Sequence, residues 1–423
     1  MVAILSYAYA TTRDRHARAT IILALLACLP IAVSFPVLPS SSVAVVSTTM
    51  NMSKSAASTD NTNSVAAISS TNTLGPRVLR KLVQEASFQS HQTHTLDLGG
   101  IVWLEHVNLV VGDMNTASKF YVDFLGMTSE REANPKSNHF NLGQQQFHLA
   151  ATENVEKDWP QRVTGSIGLC VPSLARIRER LDRAQSELIG TLFSVVEDDT
   201  NAMTVTCPWG NVIHLYDVSI DEEYCPSSSK GAGSSEQKMV VMHEEGGVYG
   251  PHRMAVRGNP GIRYVEIACA VGTIDAIAEF YETLLGCHVT RRTTTEDDPD
   301  NNDANELQVA IVSVGPGVHM VFVEQKHLTR ECMKLMEGVH ICIYIPNFQR
   351  SYNTLQERSL IWTNPRFTHL DSCETWSEAA ASRTLRFKDI VDVRTGEKIL
   401  ELEHETRPML HGQYMKVPPY FPN

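Results

Sequence analysis

Residues 106–127 read HVNLVVGDMNTASKFYVDFLGM, and residues 266–287 read EIACAVGTIDAIAEFYETLLGC. The two stretches align without a gap and share Val111/Val271, Gly112/Gly272, Phe120/Phe280, Tyr121/Tyr281, Leu125/Leu285 and Gly126/Gly286. In each, an alternating apolar run gives way to apolar positions at helical spacing, so each reads as a strand followed by an amphipathic helix. The first residue changes from His106 to Glu266. Both side chains can ligate a metal, and that exchange is the functional question the sequence poses.

Working outward, residues 101–111 alternate as a strand and 113–125 carry helical spacing through Met114, Ala117, Phe120, Tyr121 and Phe124. Three short strand candidates follow near 127–132, 138–143 and 145–151, giving the order βαβββ. The same order recurs over 165–218, over 262–325, and over 338–405, where GVHICIYIP opens and EKILELEHE closes. A unit of this kind cannot bury its own sheet face, so four copies imply pairing into larger sheets. The expected fold is α+β: four βαβββ modules paired into two cupped eight-stranded sheets.

The organisation expected is a targeting leader and disordered segment over 1–95, a first domain of two modules over 101–218, a linker over 219–261, a second domain over 262–405 and a tail over 406–423. The linker is too long for a compact-domain loop and contains a Ser/Gly-rich piece. The fourth module carries an insertion, 363–385, read as a flap or rim. Its Arg366, His369 and Asp371 are read as exposed loop polarity, with ligand contact the alternative.

The formal charge of −12 argues against nucleic-acid binding, and the first 59 residues are basic, so the remainder is more acidic still. Arg13, Arg15 and Arg18 precede the apolar run ATIILALLACLPIAV (19–33), which is short for a membrane span and contains Pro30. The expected mature form therefore has no membrane span and begins between Phe35 and about residue 95. A signal-like run, then Phe35 and a stretch rich in Ser, Thr and Ala with no acid before Asp60, resembles the two-part plastid leader of algae with secondary plastids. Secretion or anchoring through residues 19–33 is the alternative. Cys170, Cys207, Cys225, Cys269, Cys287, Cys332, Cys342 and Cys373 form no close pair and several lie in apolar runs, the pattern of buried free thiols in a reducing compartment.

The HVNLVVGDMNTASKFYVDFLGM pattern, the GNVIHLY ending and the fourfold βαβββ order resemble the vicinal oxygen chelate superfamily, which includes glyoxalase I, extradiol dioxygenases and bleomycin-binding proteins. The resemblance covers roughly residues 101–405. It implies cupped sheets in which ligands to a divalent metal project from the first and fourth strand of each module. Strand alternation then picks out the residues facing the cup. On the opening strands these are His106, Ser166, Glu266 and His340; on the closing strands they are His148, His214, His319 and Glu401. A lone strand histidine is usually a hydrogen-bonded core residue, but seven His or Glu side chains at eight equivalent positions point to shared cations. Imidazole and carboxylate without thiolate suit Zn, Ni, Fe or Mn.

Pairing decides which ligands meet. Sequence neighbours pair by default, which would gather His106, His148 and His214 in one half, and Glu266, His319, His340 and Glu401 in the other. The swapped alternative gathers His106, His148, His340 and Glu401, leaving Ser166, His214, Glu266 and His319 together. Adjacent pairing is the expectation. The resemblance then implies a glyoxalase I-like metalloenzyme that stabilises an enediolate of a small oxygen-bearing substrate, with Glu401 or Glu266 moving the proton. The alternatives are a non-haem iron extradiol-type dioxygenase, which His106, His340 and Glu401 would supply if modules swap, and a non-catalytic protein that binds a small ligand. Oligomeric state is not legible in the sequence.

Overall fold

The computed structural model describes residues 74–93, 100–129, 134–143, 145–152, 160–199, 202–217, 261–295, 306–315 and 317–414. The apolar run at 19–33, most of the expected leader and nearly all of the linker lie outside the described residues. Among the described residues, no helix is long and apolar enough to cross a membrane. Helix α1 (Pro76–Thr93) occupies the end of the segment expected to be leader or disorder.

The opening motif folds as strand β1 (Trp103–Val111) and helix α2 (Met114–Ser118), which continues as a π-helical turn through Lys119–Phe124. Asp113 caps α2, its carboxylate accepting the Thr116 N–H at 2.8 Å. Strands β2 (Thr128–Ser129), β3 (Ser137–Leu142) and β4 (Gln145–Ala151) complete the first module. The second comprises β5 (Ser166–Val171), α3 (Leu174–Arg178), α4 (Leu181–Glu187), β6 (Ser194–Asp199), β7 (Ala202–Thr206) and β8 (Val212–Asp217). The third comprises β9 (Gly261–Cys269), α5 (Ile274–Phe280) with its own π turn (Tyr281–Leu285), β10 (Val289–Thr295), β11 (Glu306–Ser313) and β12 (His319–Glu324). The shared Leu-Gly pair is explained by how both helices end: Gly126 and Gly286 take left-handed φ values of 80° and 71°, which cost a glycine little. The shared Phe-Tyr pair is fully buried in both copies.

Helix α6 (Arg330–Met336) leads to the fourth module: β13 (His340–Ile345), α7 (Phe348–Gln356), α8 (Thr368–Asp371), α9 (Trp376–Ser382), β14 (Leu385–Val391) and β15 (Lys398–Pro408). It contributes three strands, because the insertion forms α8 and α9 ahead of β14. One sheet therefore has seven strands, in the order β14-β15-β13-β1-β4-β3-β2, and the other has the expected eight, β10-β11-β12-β9-β5-β8-β7-β6.

This topology corrects the expectation of adjacent pairing. The first module joins the fourth through antiparallel β1 and β13, and the second joins the third through β5 and β9. Swapping sets the helix-covered faces of both sheets against a single apolar core. Phe280 of the third module lies 5.9 Å from Phe387 of the fourth, and the Tyr281 hydroxyl meets His404 Nε2 at 2.9 Å. One large core removes more apolar surface from water than two separate small ones. The two cups open on the opposite faces of the sheets. Of the seven described cysteines, all but Cys332 are buried.

Candidate metal centre and its closed counterpart

In the seven-stranded cup, alternation brings His106 from β1, His340 from β13 and Glu405 from β15 together. Their ligand atoms all lie within 4.8 Å of one another. His106 Nε2 is 3.9 Å and His340 Nε2 3.7 Å from Glu405 Oε2. A bulge between Leu104 and His106 lets Glu105 reach the same region. There its Oε2 accepts from His106 Nδ1 at 3.1 Å and Arg407 Nη1 at 2.7 Å, and its Oε1 accepts from the Tyr344 hydroxyl at 2.8 Å. A carboxylate on Nδ1 places the imidazole proton there, which leaves the Nε2 lone pair aimed at Glu405. That Nε2 atom is buried without a hydrogen-bond partner.

The protonation states suit ligation. Burial raises the Glu405 carboxyl, but Arg386 and Arg407 overcome this and hold it well below the usual range. Burial keeps His340 neutral. Arg386 is the organiser: its Nη2 donates to Glu405 Oε2 at 2.8 Å and to Asp371 at 2.6 Å, and its Nη1 donates to Glu403 at 2.7 Å. Arg407 clasps the other Glu405 oxygen. Glu105, His106 and Cys342 form a second close group. There Glu105 is already saturated, and burial holds the Cys342 thiol far above its usual value, so it is no thiolate ligand.

His148 lies in the same cup but outside the ligand set. Its ring stacks between His106 (3.6 Å) and His139 (3.7 Å), and its Nε2 meets Gln146 Oε1 at 2.7 Å. Burial, then the neighbouring His106, His139 and His340, press its pKa well below 6.5. Glu401 does not reach these atoms. It sits nearer the open start of β15, opposite Asp389, with its Oε2 3.2 Å from Lys388 Nζ and 2.9 Å from Lys398 Nζ. Glu401, Glu403 and Glu405 share one face, and register decides among them: β15 runs parallel to β13 with His340 opposite Glu403 and Cys342 opposite Glu405. Continuing the ELEHETR alternation would have offered Glu405; it could not have chosen it. The insertion reaches this cup, because Asn364 donates to both Glu403 oxygens and Phe367 lies 4.7 Å from the Arg386 guanidinium. Asp371 is buried, while Arg366 and His369 are exposed.

The eight-stranded cup holds Ser166, His214, Glu266 and His319, all buried. Ser166 Oγ donates to Glu266 Oε2 at 2.6 Å, and His214 Nδ1 meets the Tyr264 hydroxyl at 2.7 Å. The other Glu266 oxygen accepts the Leu74 N–H at 3.0 Å. Burial raises Glu266 to about 7 and lowers His214 to about 3, so both favour their neutral forms. The cup is filled by α1, whose Leu79, Leu82, Val83 and Ala86 pack on Tyr216, Tyr264, Leu307, Val309, Ile311, Val321 and Val323.

A sequence profile described as Glyoxalase/Bleomycin resistance protein/Dioxygenase superfamily matches residues 103–215. No curated protein matches the chain. Among solved structures, glyoxalase I from Zea mays is 14% identical with a TM-score of 0.41, covering 72% of this chain and 92% of that one. A mutant 4-hydroxymandelate synthase from Streptomyces coelicolor is 16% identical with a TM-score of 0.26, covering 73% and 93%.

Proposed function

We propose, from the premise that this chain belongs to the glyoxalase/bleomycin resistance protein/dioxygenase superfamily, that its seven-stranded cup is a divalent-metal centre acting on a small substrate with adjacent oxygens. The observation that carries this reading is the meeting of His106, His340 and Glu405 around a buried, unpartnered His106 Nε2. Two histidines and one carboxylate with open positions are the ligand set of non-haem iron oxygenases, so the dioxygenase reading is preferred to the glyoxalase one. The glyoxalase-type set of two His and two Glu would need Glu401 beside His340, and Glu401 is instead paired with lysines.

Charge supports the same reading. The enclosed acids Glu105, Asp371, Glu403 and Glu405 face two guanidinium groups, Arg386 and Arg407, and the surplus of two negative charges is what a divalent cation neutralises. A bound metal would supply Lewis acidity and, as iron(II), the means to activate dioxygen. The chain's own groups prepare for it: Glu105 fixes the His106 tautomer, the two arginines keep Glu405 ionised, Phe367 and Asp371 cover Arg386, and Asn364 holds Glu403. Location in a plastid belongs to this reading and rests on the leader composition alone; tagging the full-length chain tests it.

The deciding experiment is metal analysis of the purified chain, followed by anaerobic loading with Fe(II), Mn(II), Ni(II) or Zn(II). Oxygen uptake is then measured with ortho-diphenols, alongside isomerisation of a hemithioacetal. Metal-dependent oxygen uptake supports the proposal. Hemithioacetal turnover without oxygen would move the assignment to the glyoxalase class, and absence of bound metal would leave a ligand-binding protein.

A further inference from the structure

The eight-stranded cup has the shape of a binding site, and its contents come from the chain itself. Leu79, Leu82 and Val83 of α1 enter a wall of apolar side chains on the cup face, while Met320 and Phe322, one residue out of phase on β12, belong to the opposite core. Polar groups on the cup floor meet the segment's own backbone: Glu266 accepts the Leu74 N–H, and the Tyr216 hydroxyl donates to Pro76 O at 2.9 Å. Arg80 lies 5.6 Å from the centre of the Tyr216 ring. A hydrogen-bonded main chain at the entrance and alternate apolar side chains along the wall are how a groove recognises an amphipathic helix.

We propose that this cup is a recognition site whose ligand is the chain's own segment Leu74–Ala86, that leader cleavage therefore falls upstream of Leu74, and that the cup is closed to small substrates. Glu266, which replaces His106 in the repeated motif, anchors the incoming backbone here. A cup relieved of its helix would take an apolar molecule carrying a hydrogen-bond donor for Glu266.

A protease sequence inserted in the full chain between residues 94 and 99 allows α1 to be nicked from the body. The nicked segment is expected to stay bound through gel filtration and to exchange with a labelled peptide of residues 72–93, while the same peptide carrying Leu82→Asp fails to compete. Loss of the segment from a folded body, with no uptake of the peptide, would overturn the proposal. In the uncut chain, Leu82→Asp is expected to raise hydrogen exchange in β11 and β12 at least tenfold while β13 and β15 stay protected. Equal loss of protection in both sheets would show that α1 is an inseparable part of the core and would also overturn it. The mass of the processed protein gives a third reading, since a mature terminus beyond Leu74 contradicts the proposal directly.

Discussion

The two cups of this molecule are built from the same module, and each carries imidazole and carboxylate side chains on its inner face, yet one gathers charge and the other excludes it. His106 stands beside a carboxylate held ionised by two arginines; Glu266, its counterpart, is an acid that burial raises to about 7, bonded to Ser166 and to the Leu74 N–H just ahead of α1. The difference lies in what covers each strand. In the seven-stranded cup the cover is an insertion that brings Asn364 and Asp371 to bear on Glu403 and Arg386. In the eight-stranded cup it is an apolar helix face, beside which an ionised side chain would lose its hydration without a partner. Ligand-type residues at ligand positions thus become a candidate metal set or a structural hydrogen-bond cluster according to their neighbours.

The contrast is broken most severely at the ligand set. Glu405→Gln or His340→Ala is expected to lower metal content and any metal-dependent turnover roughly 100-fold or more, while His214→Ala leaves metal content unchanged. Circular dichroism verifies folding, and atomic emission counts the metal. Retained metal in both ligand variants would refute the assignment. Stoichiometry sharpens the same point: the intact chain is expected to hold one tightly bound divalent ion, and two would mean that the helix-filled cup also binds.

A smaller effect separates the cups by pH. Glu266 has a folded pKa of about 7 against 4.5 for the free group. The unfolded chain therefore loses this proton first as pH rises, and the stability contributed by neutral Glu266 is complete below about 4.5 and lost as pH climbs through about 7. The shift corresponds to about 3 kcal/mol. His214, lowered to about 3 by burial, works in the opposite sense, since its protonation destabilises the fold as pH falls below 6.5. The wild-type profile contains both, so the measurement is the difference between wild type and Glu266→Gln in urea unfolding at pH 5 and pH 8. The variant is expected to gain relative to wild type at the higher pH, and a pH-independent difference would show that Glu266 stays ionised in the fold. The smallest effect belongs to Glu401→Gln, which removes a half-exposed pair with Lys388 and Lys398. It is expected to cost under about 1 kcal/mol and to leave metal content unchanged.

The four modules, their approximate strands and the inward face of each were legible because alternation and helical spacing are local properties. The cup-facing positions of His106, Ser166, Glu266 and His340 follow from parity, and the structure buries all four. Parity could not rank Glu401, Glu403 and Glu405, which share one face. Their separation depends on the register of β15 against β13, set by backbone pairing between distant segments. Arg386 carries no motif; its role exists only because β14 lies beside β15 and the insertion folds back over it. Nor did the Ser-rich start reveal that α1 follows it, since the apolar face of that helix gains meaning only against β11 and β12.

By itself, the sequence determined a repeated βαβββ unit and its apolar and polar faces, together with a set of imidazole and carboxylate side chains on the polar side. Each of these is written in spacings of a few residues. Only the tertiary structure decided that the first module joins the fourth, that Glu405 rather than Glu401 meets His106 and His340, and that a helix fills the other cup. Those outcomes turn on which distant surfaces bury the most apolar area together, and on the charges then left facing one another, quantities that no single stretch of the chain contains.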